Sequence, residues 1–138
     1  MDTEGLFAPE SAATARQQYA AVGTAASAVV REFARSAPID ADAGDVREDE
    51  GLVQTAHEAI FASLLVVNLG TRAEFEDWLA ARDREVETLG SDHVSQVAWH
   101  DAPFAGQVLA ATYESEPAAA AATLRRQAFA RLYREVVA

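Results

Sequence analysis

The sequence predicts an α+β domain, predominantly helical: about five helices, with a small antiparallel β-hairpin or three-stranded meander between the fourth and fifth. Three observations carry this. Apolar residues recur at helical spacing over most of the chain before residue 90 and again after residue 117. Between them, "VSQVAWH" alternates and is followed by the loop "DAPFAG" and a second strand-like run, "QVLAATYE". With 138 residues, 50% of them apolar, the chain has one core and forms a single domain over 1–138.

The elements follow in order. In "PESAATARQQYAAVG" (9–23), Ala12, Ala15, Tyr19 and Val22 share one helical face, and Gly23 reads as a C-terminal stop. Thr24 then caps a second helix carrying Ala26, Val29, Val30, Phe33 and Ala37 on one face, ended by Pro38. A third helix is expected from Leu52 to Leu69, amphipathic at first and apolar almost all round later, with Gly70 as its stop. A buried strand at "SLLVV" competes, but the apolar run is too long for one strand. "TRAE" (71–74) is a capping box opening a fourth helix that buries Phe75, Trp78 and Leu79. Residues 85–89 can continue that helix or form a short strand. In the hairpin, Val97 and Trp99 take one face, Gln96 and His100 the other. Pro117 stands at the first position of a last helix whose stripe is Leu124, Ala128, Phe129, Leu132 and Val136.

Charge is the strongest compositional signal. Twenty-two acids face eleven basic residues, every one an arginine, and the net charge is −11. Such a charge on a small domain repels itself in dilute buffer. At molar salt the Debye length falls to about 3 Å and the repulsion is masked. A GC-rich genome would account for 32 alanines and no lysine, but not for the acid excess. The expected setting is therefore a salt-loaded cytoplasm of the haloarchaeal type. "MDTEGLFAPE" lacks a basic region followed by an apolar run, so no secretory leader is expected. The most apolar window, "AIFASLLVVNLG" (59–70), is too short to span a bilayer. With no cysteine, thiolate chemistry and zinc–thiolate sites are excluded.

Candidate sites are few. Trp99-His100-Asp101 puts an imidazole beside a carboxylate and an aromatic wall, a composition suited to general-base chemistry near neutral pH. Adjacent strand residues point to opposite faces, however, so His100 and Asp101 converge only if the turn re-aims one of them. A core tryptophan, an exposed imidazole and a turn-forming aspartate is the plainer expectation. His57, His93 and His100 could make a three-histidine metal site only by convergence of separate elements. "HEAIF" has Phe61 where a zinc-binding helix needs its second histidine. The acidic run "PIDADAGDVREDEG" (38–51) resembles a calcium loop until Asp45 and Gly51 fall where glycine and a bidentate glutamate are required, so no specific metal is expected. Trp99 and Phe104 are candidate binding aromatics. "LRRQAFARLYR" adds Arg125, Arg126, Arg131 and Arg134. Arg125 falls within the apolar stripe, where it calls for a buried or interfacial carboxylate. Direct nucleic-acid binding is disfavoured, because phosphate binding loses its counterion-release gain at high salt.

"EGLFAPESAATARQQY", "AHEAIFASLLVVNLGTRAEFEDW", "VAWHDAPFAGQVLAATYE" and "ATLRRQAFARLY" together resemble a family of short haloarchaeal proteins known as a domain of unknown function. "WHDAPFAG" with "TLRRQAFARLY" is the most specific part. The resemblance implies a single domain in a hypersaline cytoplasm, and no activity, ligand or catalytic residue.

The resulting expectation is a non-enzymatic interaction or scaffold module without a cofactor, off the membrane, that meets a protein partner or a second copy through the C-terminal helix or the hairpin edge. Two other readings stand beside it. One is a metal-assisted hydrolase centred on His100, with Asp101, His57 and His93. The other is an accessory regulator of a DNA-bound partner, which needs an acid-free face of Arg126, Arg131 and Arg134.

Overall fold

The computed structural model describes residues 1–36, 50–91 and 94–137. In order these build β1 (Asp2–Glu4), α1 (Ala12–Ser36), α2 (Glu50–Ser63), β2 (Val67–Thr71), α3 (Arg72–Ala80), β3 (Glu85–Leu89), β4 (Gln96–Ala102), a 3-10 turn (Pro103–Ala105), β5 (Gln107–Tyr113) and α4 (Pro117–Ala128). The last helix runs on through a π-helical turn, Phe129–Tyr133, into a final turn, Arg134–Val137. The strands form one mixed sheet in the order β1-β2-β4-β5-β3, antiparallel throughout except where β3 runs parallel to β5.

This corrects the expected five helices with a hairpin or meander: among the described residues there are four helices and a five-stranded sheet. Gly23 does not stop a helix, because α1 passes straight through it. Its missing side chain instead admits the His57 ring, whose Cε1 would lie 3.3 Å from a Cβ there. The long apolar run read as one helix is two elements. α2 ends at Ser63, Leu64 and Leu65 close back onto Phe61 and Ala62, and the chain resumes as β2. A strand buried on both faces and a buried helix look alike by hydropathy, which hid the junction. Gly70 lies within β2 opposite Val97, where a Cβ would meet Glu74 and Trp99.

β1 was invisible in the sequence because three exposed residues carry no periodicity. It forms because Gly5, at φ +113, brings the backbone so close to Leu65 that a Cβ would lie 2.5 Å from its carbonyl oxygen. Residues 85–89 are a strand, placed beyond β5 at the sheet edge. The hairpin strands β4 and β5 are therefore both interior, and among the described residues the sheet edges are β1 and β3.

The capping box closes α3, with Thr71 Oγ1 accepting from the Glu74 amide at 3.1 Å and Glu74 accepting from the Thr71 amide at 3.0 Å. The neighbouring amino group and the Thr71 amide hold the Glu74 carboxyl down to about 2. α1, α2 and the C-terminal helix cover one face of the sheet with Tyr19, Phe61, Leu65, Leu124, Phe129 and Tyr133. α3 covers the other with Phe75, Trp78 and Leu79 over Val97, Trp99 and Val108. The C-terminal stripe also departs from the expectation. Tyr133 is fully buried, Leu132 and Val136 are half-buried, and Val29 of α1 faces outward at 53% exposure. A π-turn adds a residue to its helical turn and so rotates the residues beyond it about the axis.

Candidate functional site

β4 is the middle strand, and alternation sends its neighbours to opposite layers. His100 enters the three-helix layer and is fully buried, not the exposed imidazole of the plainer expectation. Its Nδ1 lies 2.6 Å from the Val66 carbonyl oxygen and its Nε2 lies 2.6 Å from the Tyr133 hydroxyl. A carbonyl can only accept, so Nδ1–H donates to Val66. Nε2 then keeps its lone pair and accepts the Tyr133 O–H. Burial pushes the His100 pKa down against the opposing pull of the Val66 bond, and burial pushes the Tyr133 hydroxyl up. The imidazole is neutral, fixed in one tautomer and engaged at both nitrogens. It offers no lone pair to an outside substrate.

Asp101 does not join it. Its carboxylate points to the α3 side and takes Arg84, Nε to Oδ1 at 2.7 Å and Nη2 to Oδ2 at 3.3 Å. This two-pronged pair raises the Arg84 pKa. It ties the chain just before β3 to β4, and Asp101 lies within the strand, not in the turn. Trp99 is fully buried on that same side between Phe75 and Trp78, at ring distances of 5.1 and 6.0 Å, and its Nε1 has no hydrogen-bond partner among the described residues. Phe104 packs at 5.2 Å on the Tyr133 ring, so this candidate binding aromatic is part of the core wall.

His57 stacks on Tyr19 at 3.7 Å and donates from Nε2 to the Tyr19 carbonyl at 2.6 Å. His93 lies outside the described residues, as do residues 38–49 of the acidic run. His57 and His100 stand at opposite ends of an aromatic series that runs Tyr19, Phe61, Tyr133. Among the described residues no group of three His, Asp or Glu side chains is arranged to hold a metal.

The arginines are absorbed by the fold. Arg125 donates to the backbone carbonyls of Leu65 at 2.8 Å and Glu4 at 3.3 Å, so the carboxylate expected for it is replaced by two chain turns that need a donor. Arg131 pairs with Glu87 and Arg134 with Glu58. Among the described residues Arg126 reaches only Thr123 Oγ1, at 3.3 Å. With glutamates interleaved, Arg126, Arg131 and Arg134 do not make an acid-free face.

Tyr133 is the residue that sequence reasoning missed. A histidine on an inward position of a central strand must find a hydroxyl or carbonyl, and that requirement was the available signal. Two concavities flank Tyr113 at one end of the sheet. One, of about 510 Å³, lies between Leu89–Gly90 and Glu114, Ala120 and Thr123. The other, of about 420 Å³, lies between Asp2, Thr71, Gln96 and Pro117. Both are open, and neither contains His100, Asp101 or Tyr133. Among the described residues no helix is long and apolar enough to cross a membrane.

Comparison with curated proteins and with solved structures gives no match. A family model described as "Family of unknown function (DUF5809)" matches residues 6–134, taking in the region from Leu6 to Arg134 that holds the His100–Tyr133 pair. The chain belongs to DUF5809, a family of unknown function.

Proposed function

We propose that this protein is a non-catalytic protein-interaction module of a salt-loaded cytoplasm. The observation that supports it is where the polar chemistry is spent. His100 and Tyr133, the titratable pair best suited to catalysis, are sealed in the core and bonded to each other. Asp101 is held by Arg84 on the far side of the sheet. The outward-facing feature is instead backbone: β3 pairs with β5 on one side, and its other side has no strand partner among the described residues. Exposed strand edges recognise other chains by main-chain hydrogen bonds. The charge of −11 suits a setting in which ions mask it.

Affinity capture of tagged full-length protein from salt-matched extract, read by quantitative mass spectrometry, tests this reading. A protein retained above background in an amount that rises with load, either another chain or an untagged copy co-expressed with the bait, is the expected result. Recovery of bait alone at every load contradicts it.

A further inference from the structure

β3 is the longer of the two sheet edges among the described residues, five residues against three in β1. Natural sheets guard such edges with lysine, proline, bulges or unpaired charge. β3, "EVETL", has no lysine and no proline, and its five residues pair with β5 in unbroken register. Of its two glutamates, the central Glu87 is matched by Arg131 from the C-terminal helix, and Glu85 stands at the strand end, away from the centre of the edge. We infer that β3 is a self-association edge, on which a second copy of this chain pairs antiparallel about a two-fold axis at Glu87. The inference rests on the interaction-module reading and specifies the partner.

The register follows from the backbone. The Glu85 amide donates inward to the Gly106 carbonyl at 2.9 Å, at the start of the β5 ladder. By alternation Glu87 and Leu89 share that direction, and Val86 and Thr88 aim their N–H and C=O groups outward. In an antiparallel pair, residues that exchange hydrogen bonds alternate with residues that do not. Setting Val86 opposite Thr88 of the second copy makes two bonded pairs related by the axis, with Glu87 opposite its own counterpart between them. Every outward group of Val86 and Thr88 is then used.

The side chains agree with this register. On the α3 side, Val86 lies beside Val108 and is 40% exposed, one of the few large apolar side chains left open. The second copy would lay Thr88 along it. On the helix side, two glutamates directly opposite would repel. Here each already holds an Arg131, which Gln127 Oε1 steadies at 3.1 Å, so the two-fold gathers two guanidinium–carboxylate pairs. A second copy brings its Glu87 already paired with its own Arg131, so no unmatched charge is set at the axis. Five residues a side is a small interface, so the dimer is weak and depends on concentration.

Sedimentation of the full-length protein across a concentration series, in concentrated potassium chloride, tests the inference. The wild type is expected to pass from monomer to dimer. Thr88→Pro removes an outward donor and leaves the β5 ladder intact. It should weaken the dimer about ten-fold or more, because each copy loses one bond, and should leave the melting midpoint near that of the wild type. If the proline variant fails to fold, Val86→Asp is expected to abolish the dimer, and Thr88→Val, which keeps the N–H, to retain it. Arg131→Ala should weaken association by exposing the Glu87 pair, and adding Glu87→Gln should restore it. A wild type that stays monomeric at all concentrations, or a dimer unaffected by both Thr88→Pro and Val86→Asp, overturns self-association. A monomer that still captures another protein, in an amount that rises with load, overturns only this inference, and a monomer that captures nothing overturns the interaction-module reading as well.

Discussion

The Tyr133 hydroxyl meets Nε2 of His100 at 2.6 Å and so joins the π-helical turn of the C-terminal helix to the middle strand of the sheet. Both residues are fully buried. A buried lone pair left without its donor costs the desolvation of that group, roughly 1–3 kcal/mol, whereas a satisfied bond contributes only about 1 kcal/mol net. The pair is therefore held in place chiefly by the cost of losing either half.

Tyr133→Phe deletes one oxygen and leaves the packing on Phe61 and Phe104 intact. It should lower unfolding stability by about 1–3 kcal/mol, the cost of stranding Nε2 of His100. Urea denaturation at neutral pH measures this, and an unchanged midpoint would mean that Nε2 has another partner.

Acid should act on the same ring. Burial depresses the folded-state pKa of His100 below its ordinary 6.5, so the neutral form is favoured in the fold. The stability this provides is fully present above pH 6.5 and drains away as pH falls from there toward the depressed folded value. The slope approaches about 1.4 kcal/mol per pH unit. Glu74 adds loss in the same direction at lower pH, between 4.5 and about 2. Denaturant melts in concentrated salt, which masks the general charge repulsion, should show the first decline. In an NMR titration the His100 ring should titrate below the ordinary 6.5, and a ring titrating at or above 6.5 would contradict its sealed position.

The fold was legible where local chemistry decides. "TRAE" specifies its own capping box, Pro117 can only begin a helix, and the alternation of "VAWHDA" separates Trp99 from His100 whatever lies above and below. It was illegible where two structures share one pattern. Residues 59–69 are apolar as the end of α2 and as a strand covered on both faces, and hydropathy alone does not mark Leu64 as the turn between them. Gly23 and Gly70 read as helix stops because glycine is rare inside elements. Both are instead points of close approach, to His57 and to Trp99, which only the tertiary structure reveals. The candidate site fared likewise. The histidine was visible, but Tyr133, 33 residues away, was not.

Gly23→Ala sets two effects against each other. Alanine is favoured over glycine inside a helix by about 1 kcal/mol. The new Cβ, however, would lie 3.3 Å from Cε1 of His57, whose ring cannot retreat because it is stacked on Tyr19 at 3.7 Å and bonded to the Tyr19 carbonyl. The clash should win, giving a net loss of about 1 kcal/mol. In a His57→Ala background the same substitution should be stabilising. Thermal melts of the four proteins in this cycle provide the check.

The acid excess has a consequence for salt dependence. With −11 net charge and exposed pairs such as Arg134–Glu58 contributing little, the melting midpoint should climb steadily as salt is raised from dilute buffer. A midpoint indifferent to salt would remove the basis for a brine-adapted setting.

The central claim is that the His100 cluster holds the fold and the β3 edge makes the contacts. Sedimentation velocity of Tyr133→Phe beside Thr88→Pro, under conditions where both are folded, separates these roles most directly. Tyr133→Phe is expected to associate like the wild type, and Thr88→Pro to need about ten-fold more protein, or still more, to reach the same dimer fraction. A folded Tyr133→Phe that has lost its partner, beside a Thr88→Pro that keeps it, would contradict this division of roles.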